Sequence, residues 1–347
     1  MNAKKILTIV MAALLVSTAM ATAVATTTFR DVLDLPSVKS RQASKSLLIG
    51  VALAGTRIVG VGQHGHIVFS DNQGKSWTQA SVPVSCDLVS VQFPTPQKGW
   101  AVGHDGVVLY SSDGGASWVK QFDGRVAAQL MATTYSDGAF AGEVQKISEQ
   151  GADKPFLDVS FENESTGFIV GAFGLIFRTT DAGKSWTSWY DRIDNPRRYH
   201  LYAIRNIGQE IYITAEQGMV FKLDQQSGRF KSIKTPYTGT YFGITGKSGA
   251  LLVFGMRGNA YRSRDNGSSW QKVETGVPVG LMGAAVTADG TLVLVSQAGH
   301  VLVSTDDGAS FMPVKIDHPT PTAGVVAVDK SAVAMVGPLG VTLQSIK

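Results

Sequence analysis

The sequence predicts an all-β fold, a seven-bladed β-propeller, and three observations carry that expectation. The first is a recurring turn. Thr179-x-Asp181-x-Gly183-x-Ser185-Trp186 is echoed by Ser70 to Trp77 around Asn72 and by Ser111 to Trp118 around Asp113. It returns at Ser263 to Trp270 around Asp265 and at Ser304 to Phe311 around Asp306, with a degraded copy at Asp224 to Phe230. The second is the period. The aromatics Trp77, Trp118, Trp186, Phe230, Trp270 and Phe311 are separated by 41, 68, 44, 40 and 41 residues. A spacing near forty with several short strands per repeat means a radial β array. The third is a set of seven β-rich runs beginning at Leu47, Leu88, Phe156, Leu201, Tyr241, Leu281 and Thr322, each followed by a second strand such as GWAVG or GFIVG.

Within a repeat the local chemistry is explicit. Phe168 to Val170 and Leu175 to Arg178 are β-rich, and the Gly171–Gly174 pair between them makes a tight turn. In the turn that follows, Asp181 can accept from backbone N–H groups, Gly183 tolerates positive φ, and Ser185 adds a second local partner. Trp186 then places a large ring in the core, where burial of about 200 Å² contributes up to ~5 kcal/mol before entropy. These box residues are therefore read as structural.

The last repeat stops at Lys347 after its third strand, and Phe29 to Pro36 (FRDVLDLP) reads as an orphan fourth strand. Pairing the two would close the ring and remove exposed edges. The long spacing marks an insertion at about 123–155. Phe140, Val144 and Ile147, and more weakly Val126, Leu130 and Thr134, recur at helical spacing, which predicts two short amphipathic helices. They should lie over the face that carries the second-to-third turns.

Residues 1–25 have a basic start at Lys4 and Lys5, an apolar run and an Ala23-Val24-Ala25 cleavage site, so they read as a secretory signal peptide, with the propeller over 26–347. Nothing later is long and apolar enough to span a membrane. No cysteine lies near the cleavage site, so a lipoprotein anchor is not expected. A periplasmic or secreted chain is expected. The lone Cys86 excludes an internal disulfide, so stability must come from a large apolar core. Without Lys4 and Lys5 the remaining chain has 29 basic and 27 acidic side chains, a net of +2. That charge argues against a nucleic-acid partner.

The repeat resembles the BNR/Asp-box propellers, and within them the photosystem II assembly and stability factor branch. Units such as DVSFENESTGFIVGAFGLIFRTTDAGKSW carry that branch's inner strand, hairpin and box. The resemblance implies a protein-binding assembly factor for a membrane complex. Segments His200 to Ile204, Tyr237 to Gly243 and Gly255 to Asn259 look like a non-photosynthetic bacterial group, which implies an accessory of a membrane transporter, including the resistance-nodulation-division type.

Because the boxes occupy one side, recognition is assigned to the other. Its turns and links offer His64, His104, Arg197, Arg198, His200, Glu216, Tyr237, Tyr241, Arg257 and Asn259 as candidate binding residues. The rival readings are weaker. A sialidase-like glycosidase or glycan binder would use Arg257, Tyr241, Glu216 and Asp105, but the further arginines such a site needs are missing at matching turns. His64, His66, His104 and His300 invite a metal, yet no carboxylate or cysteine completes a set. The Gly-x-x-Gly turns join strands and precede no helix, so they are not phosphate cradles. The expectation is a non-catalytic, cofactor-free monomer.

Overall fold

The computed structural model describes residues 29–347, so the predicted signal peptide lies outside the described residues. Residues 32–347 form one compact unit. It holds seven antiparallel sheets in which consecutive strands are neighbours, six of four strands and one of three. The seven innermost strands start within two residues of their expected positions: Leu48–Ala54, Leu88–Gln92, Phe156–Phe161, Leu201–Ile207, Tyr241–Lys247, Leu281–Val286 and Gly324–Ala327.

No blade has a core of its own. The apolar residues fall into seven clusters, one at each boundary between neighbouring blades. A sheet buried on both faces reads as a near-continuous apolar run, as GFIVG and LVLVS do here. The boundary between blades 7 and 1 is held by Leu48, Val68, Val336 and Ala43, with Val51, Trp77 and Val341 packed against them.

Each complete box makes the expected bonds. The Ser185 N–H donates to Asp181 Oδ1 at 2.9 Å and its hydroxyl to Oδ2 at 2.6 Å. The Thr179 hydroxyl donates to Asp181 Oδ1 while accepting from the Gly183 N–H, each at 2.9 Å. The left-handed backbone spans two residues, since Ala182 at φ 63 precedes Gly183 at φ 78. Trp118 and Trp186 are buried, whereas Trp77, Trp270 and Phe311 are only partly covered. The Ser269 hydroxyl and N–H hold the Asp265 carboxyl down to about 2, and those of Ser310 do the same for Asp306. A folded pKa below the unfolded value of about 3.9 contributes stability above pH ~4 and loses it as pH falls towards 2. Acid titration followed by carboxyl-carbon NMR should show these turns loosening over that window, with the blade 1 box unaffected because Asn72 has no proton to take up.

Two expectations need correction. Phe29 to Pro36 contains no strand, and among the described residues blade 7 has three strands and no shared sheet closes the ring. The segment from Val32 instead lies against blades 1 and 2. Leu33 is buried there, the Ser85 N–H donates to Val32 O at 2.9 Å, and Asp34 pairs with Lys120 at 3.1 Å and Arg125 at 2.8 Å. One buried leucine and two cations for one carboxylate outweigh a few edge hydrogen bonds. The insertion does form helices α1 (Gly124–Thr134) and α2 (Ala141–Gln150), with Asp123 capping α1 through the Arg125 and Val126 N–H groups. On α2 the expected Val144 and Ile147 are buried, but α1 buries Ala127, Ala128 and Met131 and leaves Val126 exposed. Of the expected α1 stripe only Leu130 packs against the core, while Val126 and Thr134 are exposed, because the small alanines carry the close packing.

Candidate functional site: the channel mouth

The box side also carries the first-to-second turns: the Gly114 N–H donates to Gln97 O at 2.8 Å and Lys247 pairs with Asp307 at 2.7 Å. The opposite face carries the second-to-third turns, the links between blades, and the insertion. There the His64 N–H donates to Asp87 Oδ1 at 2.8 Å and the Met256 N–H to Thr240 O at 3.0 Å.

Five of those turns share one geometry. His64, Asp105, Phe173, Gln217 and Arg257 all sit at φ 55–57, each followed by a glycine at φ 63–71. Two successive positive φ values define a type I′ turn, whose twist matches the flanking strands. A non-glycine residue in this region stores roughly 1 kcal/mol or more of strain. Each turn thereby lifts one side chain off the face; His64, Phe173, Gln217 and Arg257 are exposed.

The inner strands contribute a second feature. In six blades the pairing register slips just after the first residue, leaving the second unpaired: Ile49, Val89, Leu157, Tyr202, Phe242 and Met282. A bulge re-aims the side chain it carries. All six line the central channel at the end where the links enter, and Ala323 completes the circle on blade 7. The channel encloses about 270 Å³. Below this apolar collar lie one acid and one base among the described lining residues, Asp158 and Arg205, which form an ion pair.

An aromatic path leads from the rim into the collar. Phe173 lies 4.9 Å from the His200 ring, His200 6.4 Å from Tyr202, and Tyr202 5.6 Å from Phe242. His200 is fixed by Glu216, which accepts from its backbone N–H at 2.9 Å and lies 3.0 Å from Nδ1. Burial acts to raise the Glu216 carboxyl, but these His200 contacts outweigh it and the net shift is downward.

Of the candidate residues, His64, His104, Arg197, His200, Glu216, Tyr237, Arg257 and Asn259 lie on this face with surface exposure. Tyr237 is braced by its hydroxyl to Met256 O at 3.1 Å, and Asn259 Nδ2 donates to the same carbonyl at 3.0 Å. Tyr241 is not a surface residue. It is fully buried between blades 4 and 5, its hydroxyl 3.2 Å from Thr235 Oγ1, and burial pushes its pKa far up. The glycosidase set therefore lacks a reachable nucleophile.

Arg198 is an internal clamp, with its guanidinium on Glu143 of α2 at 3.1 Å, on Tyr190 O at 3.3 Å, and 3.9 Å above the Tyr190 ring. Arg198→Ala should cost about 2 kcal/mol and speed protease cleavage within α2. Cleavage unchanged from wild type would show that α2 is held without it. His64 and His66 lie ring to ring at 6.2 Å, but His66 Nδ1 meets Ser46 Oγ at 3.1 Å and His300 Nδ1 meets Ser296 Oγ at 2.8 Å. Among the described residues no three His, Cys, Asp or Glu side chains are grouped for a metal.

Sequence reasoning missed Tyr202, Phe242 and Met282. The available signal was positional, since each follows the first buried residue of an inner strand.

Residues 139–315 match the family described as photosynthesis system II assembly factor YCF48. The photosystem II assembly lipoprotein Ycf48 of Synechococcus sp. (strain CC9902) is 32% identical over 119 residues, covering 33% of this chain and 35% of that protein. The photosystem II assembly protein Ycf48 of Synechococcus sp. (strain JA-2-3B'a(2-13)) is 24% identical over 211 residues, 54% of this chain and 59% of its own length. The matches thus span about a third to three-fifths of these relatives. Among solved structures, YCF48 bound to D1 peptide superposes with a TM-score of 0.65 at 16% identity, over 90% of this chain and 99% of that one. YCF48 from Cyanidioschyzon merolae gives 0.64 at 13% identity, over 87% and 96%. With the family model matched over half its length and seven blades in place, this chain belongs to the YCF48 photosystem II assembly factor family of Asp-box β-propellers.

Proposed function

We propose that this chain is an exported, non-catalytic propeller that binds a membrane-protein subunit through its channel-mouth face, acting as an assembly or accessory factor for a membrane complex. The observation that carries the reading is the collar with its aromatic approach: a half-buried apolar ring open to recognition on the one face free of Asp boxes. Exposed apolar side chains on the same face, Phe173, Met256 and Leu339, extend it. The family points the same way, since its relatives are described as assembly proteins and one neighbour is described as bound to a D1 peptide. A transporter of the resistance-nodulation-division type as the partner rests on the resemblance of segments 200–204, 237–243 and 255–259, of which His200, Tyr237 and Asn259 reach this face.

Crosslinking from the periplasmic side, followed by identification of what is captured, tests the reading. A membrane-protein subunit should be recovered with the wild type and depleted with Arg197→Glu combined with Arg257→Glu. Recovery of soluble proteins alone, or of nothing, rejects it.

A further inference from the structure

The proposed partner face contains a site more specific than a surface. We infer that the collar is a socket for an extended segment of the partner protein that inserts an aromatic or leucyl side chain flanked by a carboxylate. This rests on the protein-binding reading above and adds the chemistry of the inserted segment. Size sets the first condition, because about 270 Å³ holds one or two large side chains and no folded element. The wall sets the second. Tyr202, Phe242 and Met282 on blades 4 to 6 present an apolar sector, and the ring-to-ring path from Phe173 gives an incoming chain continuous contact down to it. Large aromatic anchors in such clefts dominate binding energy.

Charge sets the third condition. Arg197 and Arg257 stand exposed on either side of blade 4's mouth. Arg197 bonds only the Tyr199 hydroxyl, at 3.3 Å, and Arg257 forms no ion pair among the described residues. Of the acids on the same rim, Asp87 accepts from the His64 N–H on the far side of the mouth and Glu216 stays ionised, held by His200, so beside blade 4 two guanidiniums face one carboxylate. The unbalanced charge on the apolar sector is therefore positive, and a carboxylate beside the anchor complements it. Backbone groups on the channel-facing edge of the inner strands can bond an extended chain but not an isolated apolar solute.

The test is selection of displayed random dodecapeptides on the whole exported chain. Recovered sequences should pair Phe, Trp, Tyr or Leu with Asp or Glu. Their binding should fall about tenfold or more on Phe242→Ser and on Met282→Arg. Arg257→Glu should weaken it and flatten its salt dependence. Both collar residues are half-buried, so thermal unfolding of the two variants confirms folding before binding is read. An empty selection, basic sequences, or binding indifferent to both collar changes overturns the inference. So does retention of palmitate with no peptide recovered. If crosslinking still captures the membrane subunit with Phe242→Ser, the socket fails while the assembly reading stands. If the wild type captures nothing, the reading itself fails.

Discussion

Gly258→Ala is expected to destabilise the propeller by about 3–5 kcal/mol, whereas Gly276→Ala, at nearly the same backbone angle, should cost only about 1 kcal/mol. Gly258 has φ +71 and Gly276 φ +69, so the left-handed penalty of roughly 1–2 kcal/mol is common to both. Space separates them. Nothing lies within 4 Å of a Cβ built on Gly276, whereas one on Gly258 would fall on the Val277 carbonyl, closer than the 3.0 Å that real Cβ atoms respect. The link cannot simply retreat, because the Thr275 hydroxyl donates to Gly258 O at 2.8 Å and Val277 is buried against blade 6. Relief must break that bond and shift a packed valine, which places the change among the rare large effects. Gly65, Gly218, Gly299 and Gly340 meet link backbone in the same way. Denaturant unfolding of the two variants is the measurement. Equal losses would mean that the link yields easily and that φ alone sets the cost.

The same turns show how much of the molecule was legible beforehand. The blades could be read because each Asp box is a local device whose bonds span four residues, as Ser263 to Gly267 and Asp265 to Ser269 do. Long-range choices could not. Tyr241 and Phe242 are neighbours with opposite fates, one buried between blades and one facing the channel, because the bulge after Tyr241 swaps the faces. A one-residue slip in a strand buried on both sides leaves no polar alternation to mark it. Arg198 reads as a free cation in RIDNPRRYH, since its partner Glu143 lies 55 residues upstream in the insertion. Phe29 to Pro36 suits an outer strand by pattern, and what decides against it is distant in sequence: the blade 1–2 pocket that buries Leu33, and Lys120 and Arg125 around Asp34.

Asp158→Ala should cost about 3 kcal/mol, the largest effect expected inside the channel. Its Oδ1 accepts from the Ser90 hydroxyl at 2.7 Å, and its Oδ2 accepts from the Ile204 N–H at 2.8 Å and from the Arg205 guanidinium. One carboxylate on blade 3 thus ties together the inner strands of blades 2, 3 and 4. It occupies a backbone N–H that no further strand is there to pair. The Asp158 side chain is 4% exposed and that of Arg205 46%, so truncation strands a donor in a dry site and a cation in a wet one. Losing a buried partner costs several kcal/mol when the remaining charge cannot reach water; here it can, which lowers the expectation to ~3. Adding Arg205→Met to Asp158→Ala should recover about 1 kcal/mol, because the unpaired cation is removed while the Ile204 N–H and Ser90 stay unsatisfied. A double variant no more stable than Asp158→Ala alone would assign the carboxylate's whole contribution to the backbone N–H. Arg205 would then be stabilised by solvent at the channel's other end rather than by the pair.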